Sequence, residues 1–299
     1  MVDPVIMGTI ALDSLETPFG KVQNVLGGSA SYASIAASFF SKPGVLSIVG
    51  KDFPCEHIKF LNERGIDTKG IALGEKTFRW QGFYEFDMNE AKTLRTELNA
   101  LESYKVEVPE EYRNAKYVFL ANIDPELQLA ALAKIKKPEL VVMDTMNFWI
   151  EHKKKQLLEA ISKADVIVLN DAEARQLFNT PNLVKAAHGA LKLHSKAVII
   201  KKGEHGALLF TDSKHFNAPG YPLENIKDPT GCGDCFGGAF TGYLAKTRDL
   251  SEANMRKAVV YGSIIASYNA EDFGIEKLRT ISHEDIEQRY KEFKDIREF

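Results

Sequence analysis

The chain predicts an α/β fold built on a mainly parallel sheet with helices on both faces. Three observations carry this. Short runs rich in Val, Ile and Leu recur without polar–apolar alternation, as in strands buried on both faces. Amphipathic segments of helical period separate them, and such alternation implies parallel strands joined by helical crossovers. One region, 74–103, breaks the rhythm with strict period-two alternation and predicts a small antiparallel excursion.

In chain order, the expected strands are Pro4–Ile10, Val45–Gly50, Tyr117–Asn122, Leu140–Thr145, Val166–Asn170 and Ala197–Lys201, with Ala207–Phe210 after a turn. Helical patterns cover Ser29–Phe40, Glu126–Lys136, His152–Lys163 and Pro181–His194, then Asp234–Lys246, Ser251–Tyr268 and Ser282–Phe293. Within Gly74–Ser103, Thr77-Phe78-Arg79-Trp80-Gln81 alternates and is rich in aromatic and β-branched residues, as a strand exposed on one face would be. Such an excursion inside a parallel fold serves as a lid over a site; a surface hairpin or an oligomer contact fits the same residues equally well. No Pro/Gly/Ser linker, low-complexity tract or repeat divides the chain, so one domain over 1–299 is expected, with lid excursions at approximately 12–24 and 74–103.

Composition narrows the function classes. The 299 residues are 44% hydrophobic and 26% charged, ordinary for a globular protein with a large core. A net charge of −3 with no basic stretch argues against nucleic acid as a partner. Lys153-Lys154-Lys155 reads as the solvated face of a helix. No apolar segment is long enough to span a bilayer, and MVDPVIMG lacks the features of a signal peptide. Three cysteines give no disulfide framework, and a cytoplasmic location is expected.

The stretch KDPTGCGDCFGGAF, Lys227 to Phe240, holds Cys232 and Cys235 at C-x-x-C spacing among closely set glycines. A zinc site needs four ligands, and the remaining cysteine, Cys55, is distant and followed only by His57. A redox pair would open the first long helix after a strand, whereas this one lies late in the chain. Phe236 stands where a dinucleotide loop needs its third glycine, and no G-x-x-x-x-G-K-[ST] occurs. What remains is a glycine-rich turn, Gly231-Cys232-Gly233, leading into a helix near Asp234. Unpaired N–H groups at a helix start attract phosphate, and glycines permit close approach. Asp234 itself fits two descriptions, an ordinary N-cap or a carboxylate able to take a proton from an attacking hydroxyl.

These residues resemble a known signature. Asp228-Pro229-Thr230-Gly231-Cys232-Gly233-Asp234 is similar to the D-T-x-G-A-G-D element of the PfkB/ribokinase family of carbohydrate and nucleoside kinases. Four further elements resemble that family in order. Gly8-Thr9-Ile10-Ala11-Leu12-Asp13 is like its first strand, which ends in a substrate-binding aspartate. Leu26-Gly27-Gly28-Ser29-Ala30 is like its di-glycine motif, Asn170-Asp171-Ala172-Glu173 its N-x-x-E motif, and Lys202-Gly203-Glu204-His205-Gly206 its G-x-x-G turn. Together they span Gly8 to about Gly274.

The resemblance implies a ribokinase-like three-layer α/β/α sandwich with a small β lid. It makes Asp234 the base, and the N–H groups of Gly231, Cys232, Gly233 and Asp234 an anion hole for the γ-phosphoryl group. Asn170 and Glu173 would hold magnesium largely through water. Asn170, Lys202, Gly203, Gly206, Thr230, Gly231 and Gly233 would line the ATP site. Asp228 resembles the residue that helps hold a monovalent cation in many members, so potassium joins ATP and magnesium among the expected cofactors. Asp13, Gly27, Gly28, Ser31, Tyr32 and Asn122 fall at acceptor positions, and Arg79 on the lid is a further candidate. The departures bear on the acceptor: Tyr32 replaces a sugar-binding asparagine of ribokinase, and Ala11 a polar contact. Cys232 replaces an alanine whose backbone alone is used, and Cys235 reads as a small buried hydrophobe. Asp144-Thr145-Met146-Asn147 partly resembles the family's D-x-N-x-R element and lacks its arginine.

The expected function is ATP- and magnesium-dependent phosphorylation of a hydroxyl on a small sugar-like metabolite. Within the family the alternative is a nucleoside kinase; outside it, a silent binding protein or a redox protein using Cys232 and Cys235. The lid aromatics Phe78, Trp80, Phe83 and Tyr84 would stack on a base or pair two subunits, and a homodimer through the lid is expected.

Overall fold

The computed structural model describes residues 2–88, 90–193 and 195–298. Asn89 of the expected lid, His194 at an expected helix end, and Met1 and Phe299 lie outside them. The strands are β1 (Val5–Met7), β2 (Ala11–Thr17), β3 (Gly20–Gly27), β4 (Gly44–Gly50), β5 (Ile71–Gly74), β6 (Phe78–Tyr84), β7 (Ala91–Glu97), β8 (Tyr117–Leu120), β9 (Leu140–Asp144), β10 (Val166–Asn170), β11 (Ala197–Lys201), β12 (Ala207–Thr211) and β13 (His215–Ala218). The α-helices are α1 (Ser29–Ser38), α2 (Cys55–Glu63), α3 (Pro125–Leu132), α4 (Asn147–His152), α5 (Lys154–Ile161), α6 (Asp171–Phe178), α7 (Leu183–Leu191), α8 (Cys232–Thr247), α9 (Glu252–Ala270), α10 (Glu276–Thr280) and α11 (His283–Asp295).

Nine strands form the main sheet in the order β13-β12-β11-β10-β9-β8-β1-β4-β5. From β11 to β5 every pairing is parallel; β12 and β13 add an antiparallel edge. Successive residues of one strand serve opposite layers. Ile6, Phe119, Val142, Val168 and Ile199 pack with α1, α8 and α9. Their neighbours Met7, Leu120, Val141, Ile167 and Ile200 pack with α3, α5, α6 and α7. Burial on both faces is what the unalternating apolar runs predict, and the result is the ribokinase-like three-layer sandwich.

A second sheet, β3-β2-β6-β7, holds the alternating residues. The antiparallel pair β6–β7 matches the expected hairpin, with β2 added parallel to β6. Its root is fixed at Thr77, whose N–H and hydroxyl donate to Asp52 Oδ1 at 2.7 and 2.8 Å while its oxygen accepts the Gly50 N–H.

Four expectations need correction. The first strand stops at Met7 and does not run to Ile10; a Cβ on Gly8 would come within 2.6 Å of Ser29 Oγ, and there the chain leaves the main sheet. Asp13 therefore belongs to β2 of the small sheet, not to the end of the first strand. The helix expected over His152–Lys163 is two helices broken at Lys153, which has φ −134° and ψ 38°. Lys153 is no solvated-face residue either, since its Nζ lies 2.7 Å from Asp124 and 2.8 Å from Glu126. Strands β5 and β13 and helices α2, α6 and α10 lie outside the expected elements: β5 and β13 are short edge strands, α2 buries only Leu61, and α6 and α10 are short.

Candidate active site

Ligands of open parallel sheets bind beyond the carboxyl ends of the strands. Here three adjacent strands, β9, β10 and β11, end in Asp144, Asn170 and Lys201. The start of α8 faces them. Gly231, its N-cap, has φ 77°, a left-handed conformation that glycine adopts without strain. A Cβ there would lie 2.4 Å from the Tyr32 ring, so the glycine also lets the loop settle on α1. Because α8 begins at Cys232, Asp234 is its third residue, and the alternative description of Asp234 as the N-cap is wrong.

Of the expected anion-hole donors, Cys232 is partly committed: its N–H donates to Pro229 O at 3.2 Å. The N–H groups of Gly231 and Gly233 have no acceptor among the described residues. Burial pushes the Asp234 carboxyl up to about 7, the Asp144 charge adds to the rise, and Lys201 opposes it. A carboxyl near neutrality has the basicity a general base needs.

Across from the cradle stands Asp13. It is 4% exposed; its Oδ2 accepts the Gly28 N–H at 3.3 Å, and its Oδ1 is buried without a partner among the described residues. Burial raises this carboxyl to about 7, with smaller contributions from the charges of Asp228 and Asp234. The di-glycine motif makes room for it: a Cβ on Gly27 would overlap Asp13 Oδ2 at 1.8 Å, and Gly28 caps α1 at φ 89°. An oxygen with open acceptor capacity in a dry setting suits a ligand hydroxyl. Tyr32 is buried against Gly231 and Ser31 is buried nearby, and neither hydroxyl has a partner among the described residues.

Asn170 and Glu173 form a reciprocal capping box at the start of α6. The Glu173 N–H donates to Asn170 Oδ1, the Asn170 N–H to Glu173 Oε2, and the Asn170 amide to Glu173 Oε1, each at 2.7 Å. Burial raises the Glu173 carboxyl to about 8, partly offset by Lys201. Both side chains are engaged with each other, so a magnesium ion held by this pair would be held through water rather than by direct ligation.

Lys202, Gly203 and Gly206 form the turn from β11 to β12, closed by Lys202 N–H donating to Gly206 O at 2.7 Å. Asp228 is fully buried; Oδ1 accepts the Thr230 N–H at 2.8 Å and Oδ2 the Gly274 N–H at 2.9 Å, tying the loop before α8 to the loop after α9. Thr230 also donates its hydroxyl to Tyr84 of β6 at 3.3 Å, which brings the small sheet onto this loop. Asn122 follows β8, its Oδ1 accepting Trp149 Nε1–H at 3.0 Å. Cys232 and Cys235 are free thiols, and burial raises the pKa of both.

Arg79 is a correction. It pairs with Asp52 at 2.9 Å and donates to Asn24, and in the β2–β6 register it shares the face of Leu12 and Ser14, whereas Asp13 and Trp80 share the other. Its charge is turned away from the Asp13 oxygen.

The motifs include Asp144 but neither Lys201 nor the pairing of the two, 2.7 Å apart beside the cradle. The available signal was a charged residue ending an otherwise apolar strand, present in both AVIIK and LVVMD.

N–H groups without an acceptor at a helix start, with the Asp234 carboxyl and the buried Asp13 carboxyl near them, are an arrangement that a phosphotransferase of the α/β class can use. The pfkB family carbohydrate kinase model matches residues 8–277, and the chain belongs to that family. The chain is 31% identical over 258 residues to the cytidine kinase of Thermococcus kodakarensis, covering 84% of this chain and 92% of that protein. In fold it is similar to a putative ribokinase II from E. coli solved with ATP and magnesium, at TM-score 0.79 and 19% identity over 98% of this chain and 100% of the other. It is also similar to the Burkholderia thailandensis nucleoside kinase solved with inosine, at TM-score 0.73 and 18% identity over 96% of each chain.

Proposed function

We propose that the protein transfers the γ-phosphoryl group of ATP to a hydroxyl of a nucleoside, narrowing the sugar-like acceptor expected from sequence to a sugar that carries a base. The observation that supports transfer is the start of α8, where Asp234 stands beside the N–H groups of Gly231 and Gly233 that lack an acceptor among the described residues, with Asp13 near enough to feel the Asp234 charge. The nucleoside acceptor rests on the cytidine kinase relative. A free sugar is the second reading, because Asp13 grips hydroxyls whatever else the ring carries.

In the proposed step, Asp13 accepts hydrogen bonds from the acceptor and fixes its reacting oxygen near Asp234. Asp234 takes the proton as that oxygen attacks phosphorus. The bond from the γ-phosphorus to its bridging oxygen breaks, and ADP leaves with the electron pair. Gly231 and Gly233 donate N–H to the phosphoryl oxygens as their charge rises. Bound magnesium would supply charge neutralisation at the phosphates, held through Asn170 and Glu173. The small sheet acts as the lid, and potassium at Asp228 belongs to the same proposal. Phe19, Phe86 and Leu94 are exposed on the small sheet and its turns, which supports pairing of two copies there.

The test is ADP release with a panel of nucleosides, free sugars and polyols at fixed ATP and magnesium. Turnover on nucleosides at least about tenfold above free sugars is expected, a difference of one good contact. Preference for a free sugar would overturn the nucleoside reading, and no acceptor-dependent ADP release would overturn the kinase reading.

A further inference from the structure

Lys201 takes no part in the steps above, yet it stands in their midst. It ends β11, Asp144 ends β9, and β10 lies between, so the two side chains meet across the end of the middle strand. They are 17% and 3% exposed. A Cβ on Gly233 would lie 2.8 Å from Lys201 Nζ, which puts the ammonium directly over the second residue of α8. Asp144, Glu173 and Asp234 all face it and together hold it protonated against its burial. Of its three N–H donors one goes to Asp144, and no other described residue accepts the rest.

A partly buried ion pair adds little stability by itself, since desolvation offsets the attraction. What this pair does supply is a fixed cation with spare donors beside two unpaired backbone N–H groups. Without that ammonium, the carboxyl groups of Asp144, Glu173 and Asp234 would meet a polyphosphate with no lysine between them. We propose that Lys201 is a catalytic residue whose ammonium touches the transferring phosphoryl group, and that Asp144 is the positioning residue that aims it. This rests on the phosphotransfer reading above. The ammonium keeps its proton throughout; it offsets charge on the phosphoryl oxygens while the acceptor proton passes to Asp234 and ADP departs.

ATP carries that phosphoryl group and ADP does not, so calorimetric binding of the two nucleotides isolates the contact without any acceptor. Lys201→Met should weaken ATP at least about tenfold, the loss of one charge-assisted contact. ADP affinity should stay within about threefold of the parent, and phosphoryl transfer should fall at least about a hundredfold. Because Lys201→Met leaves Asp144 buried without its partner, Lys201→Met/Asp144→Asn provides a second variant with no stranded charge, expected to show the same ATP-selective loss. Ammonium or methylammonium added to Lys201→Met should restore part of the turnover, which a purely structural lysine would not permit. An ATP-to-ADP affinity ratio equal to the parent's in the folded double variant would overturn the proposal while leaving the kinase reading intact. If the parent itself binds neither nucleotide, the kinase reading fails as well.

Discussion

Asp13→Asn should make the protein more stable while crippling it. Burial raises the Asp13 carboxyl from 3.8 to about 7. In the unfolded chain it titrates near its ordinary value, so between about pH 4 and 7 the folded state holds a proton that the unfolded state has lost. Stability therefore falls as pH rises through that window, and above it the whole difference is felt. Three pKa steps at about 1.4 kcal/mol each give roughly 4 kcal/mol at pH 8.5, and under about 2 kcal/mol at pH 5. Asparagine keeps the shape and can still accept from Gly28, but carries no charge to bury. With an unfolding entropy of about 2 cal/mol/K per residue, 4 kcal/mol over this chain length corresponds to roughly 6 °C in Tm. The assay is urea unfolding of parent and variant at both pH values, with acceptor kcat/KM measured alongside. A gain near 4 kcal/mol at pH 8.5 that shrinks at pH 5, with acceptor use down at least about tenfold, is the expected pattern. A variant no more stable than the parent at pH 8.5, or a gap independent of pH, would refute the buried-charge account of Asp13.

Asp234→Asn should lower turnover at least about a hundredfold with ATP binding kept, and should remove an acid limb near pH 7 from the parent's kcat/KM profile, above which the base is ionised; an unchanged limb would take Asp234 out of the proton transfer. Cys232→Ala should leave activity near the parent's because the loop acts through backbone, and Cys235→Ala should cost about 1 kcal/mol of stability with little change in rate; loss of activity in both, with zinc or a reversible disulfide in the purified protein, would restore the redox or metal reading of the pair. Replacing residues 77–98 by a short turn should lower acceptor phosphorylation, relatively favour ATP hydrolysis by water, and yield monomers in light scattering; unchanged acceptor kinetics would reduce the small sheet to surface.

The limits of the sequence reading are instructive at Arg79 and Asp13. Both sit in alternating strands of the same sheet, and both were assigned to the acceptor. Which face a strand residue takes depends on pairing register, and a shift of one residue reverses it. Asp13 rests on a motif rather than on its charge alone, and although it sits in β2 rather than at the end of the first strand, Gly27 makes room for its carboxylate. Arg79 had only its charge to recommend it, and Asp52, 27 residues away, captures that charge. The break at Lys153 was hidden for a similar reason: helical spacing persists through it, and the acids that hold the lysine out of the helix come from α3.

The pair Lys201 and Asp144 marks a different limit. Asp144 falls in a partly matched motif and Lys201 in none, each closes an apolar strand, and 57 positions separate them. They meet because β10 is inserted between β9 and β11, with both neighbours parallel to it and ending at the same edge. That same edge receives α8, whose first turn came to attention through its own glycines. Motif reasoning finds what one segment carries: the cradle, the capping box, the di-glycine turn. The electrostatics of the site depend on strand order as well: burial raises Asp234 most, a carboxylate from β9 adds to the rise, and an ammonium from β11 opposes it. A carboxyl poised near neutrality thus depends first on its burial and then on charges that the strand order brings to it from β9 and β11, which the signature loop does not carry.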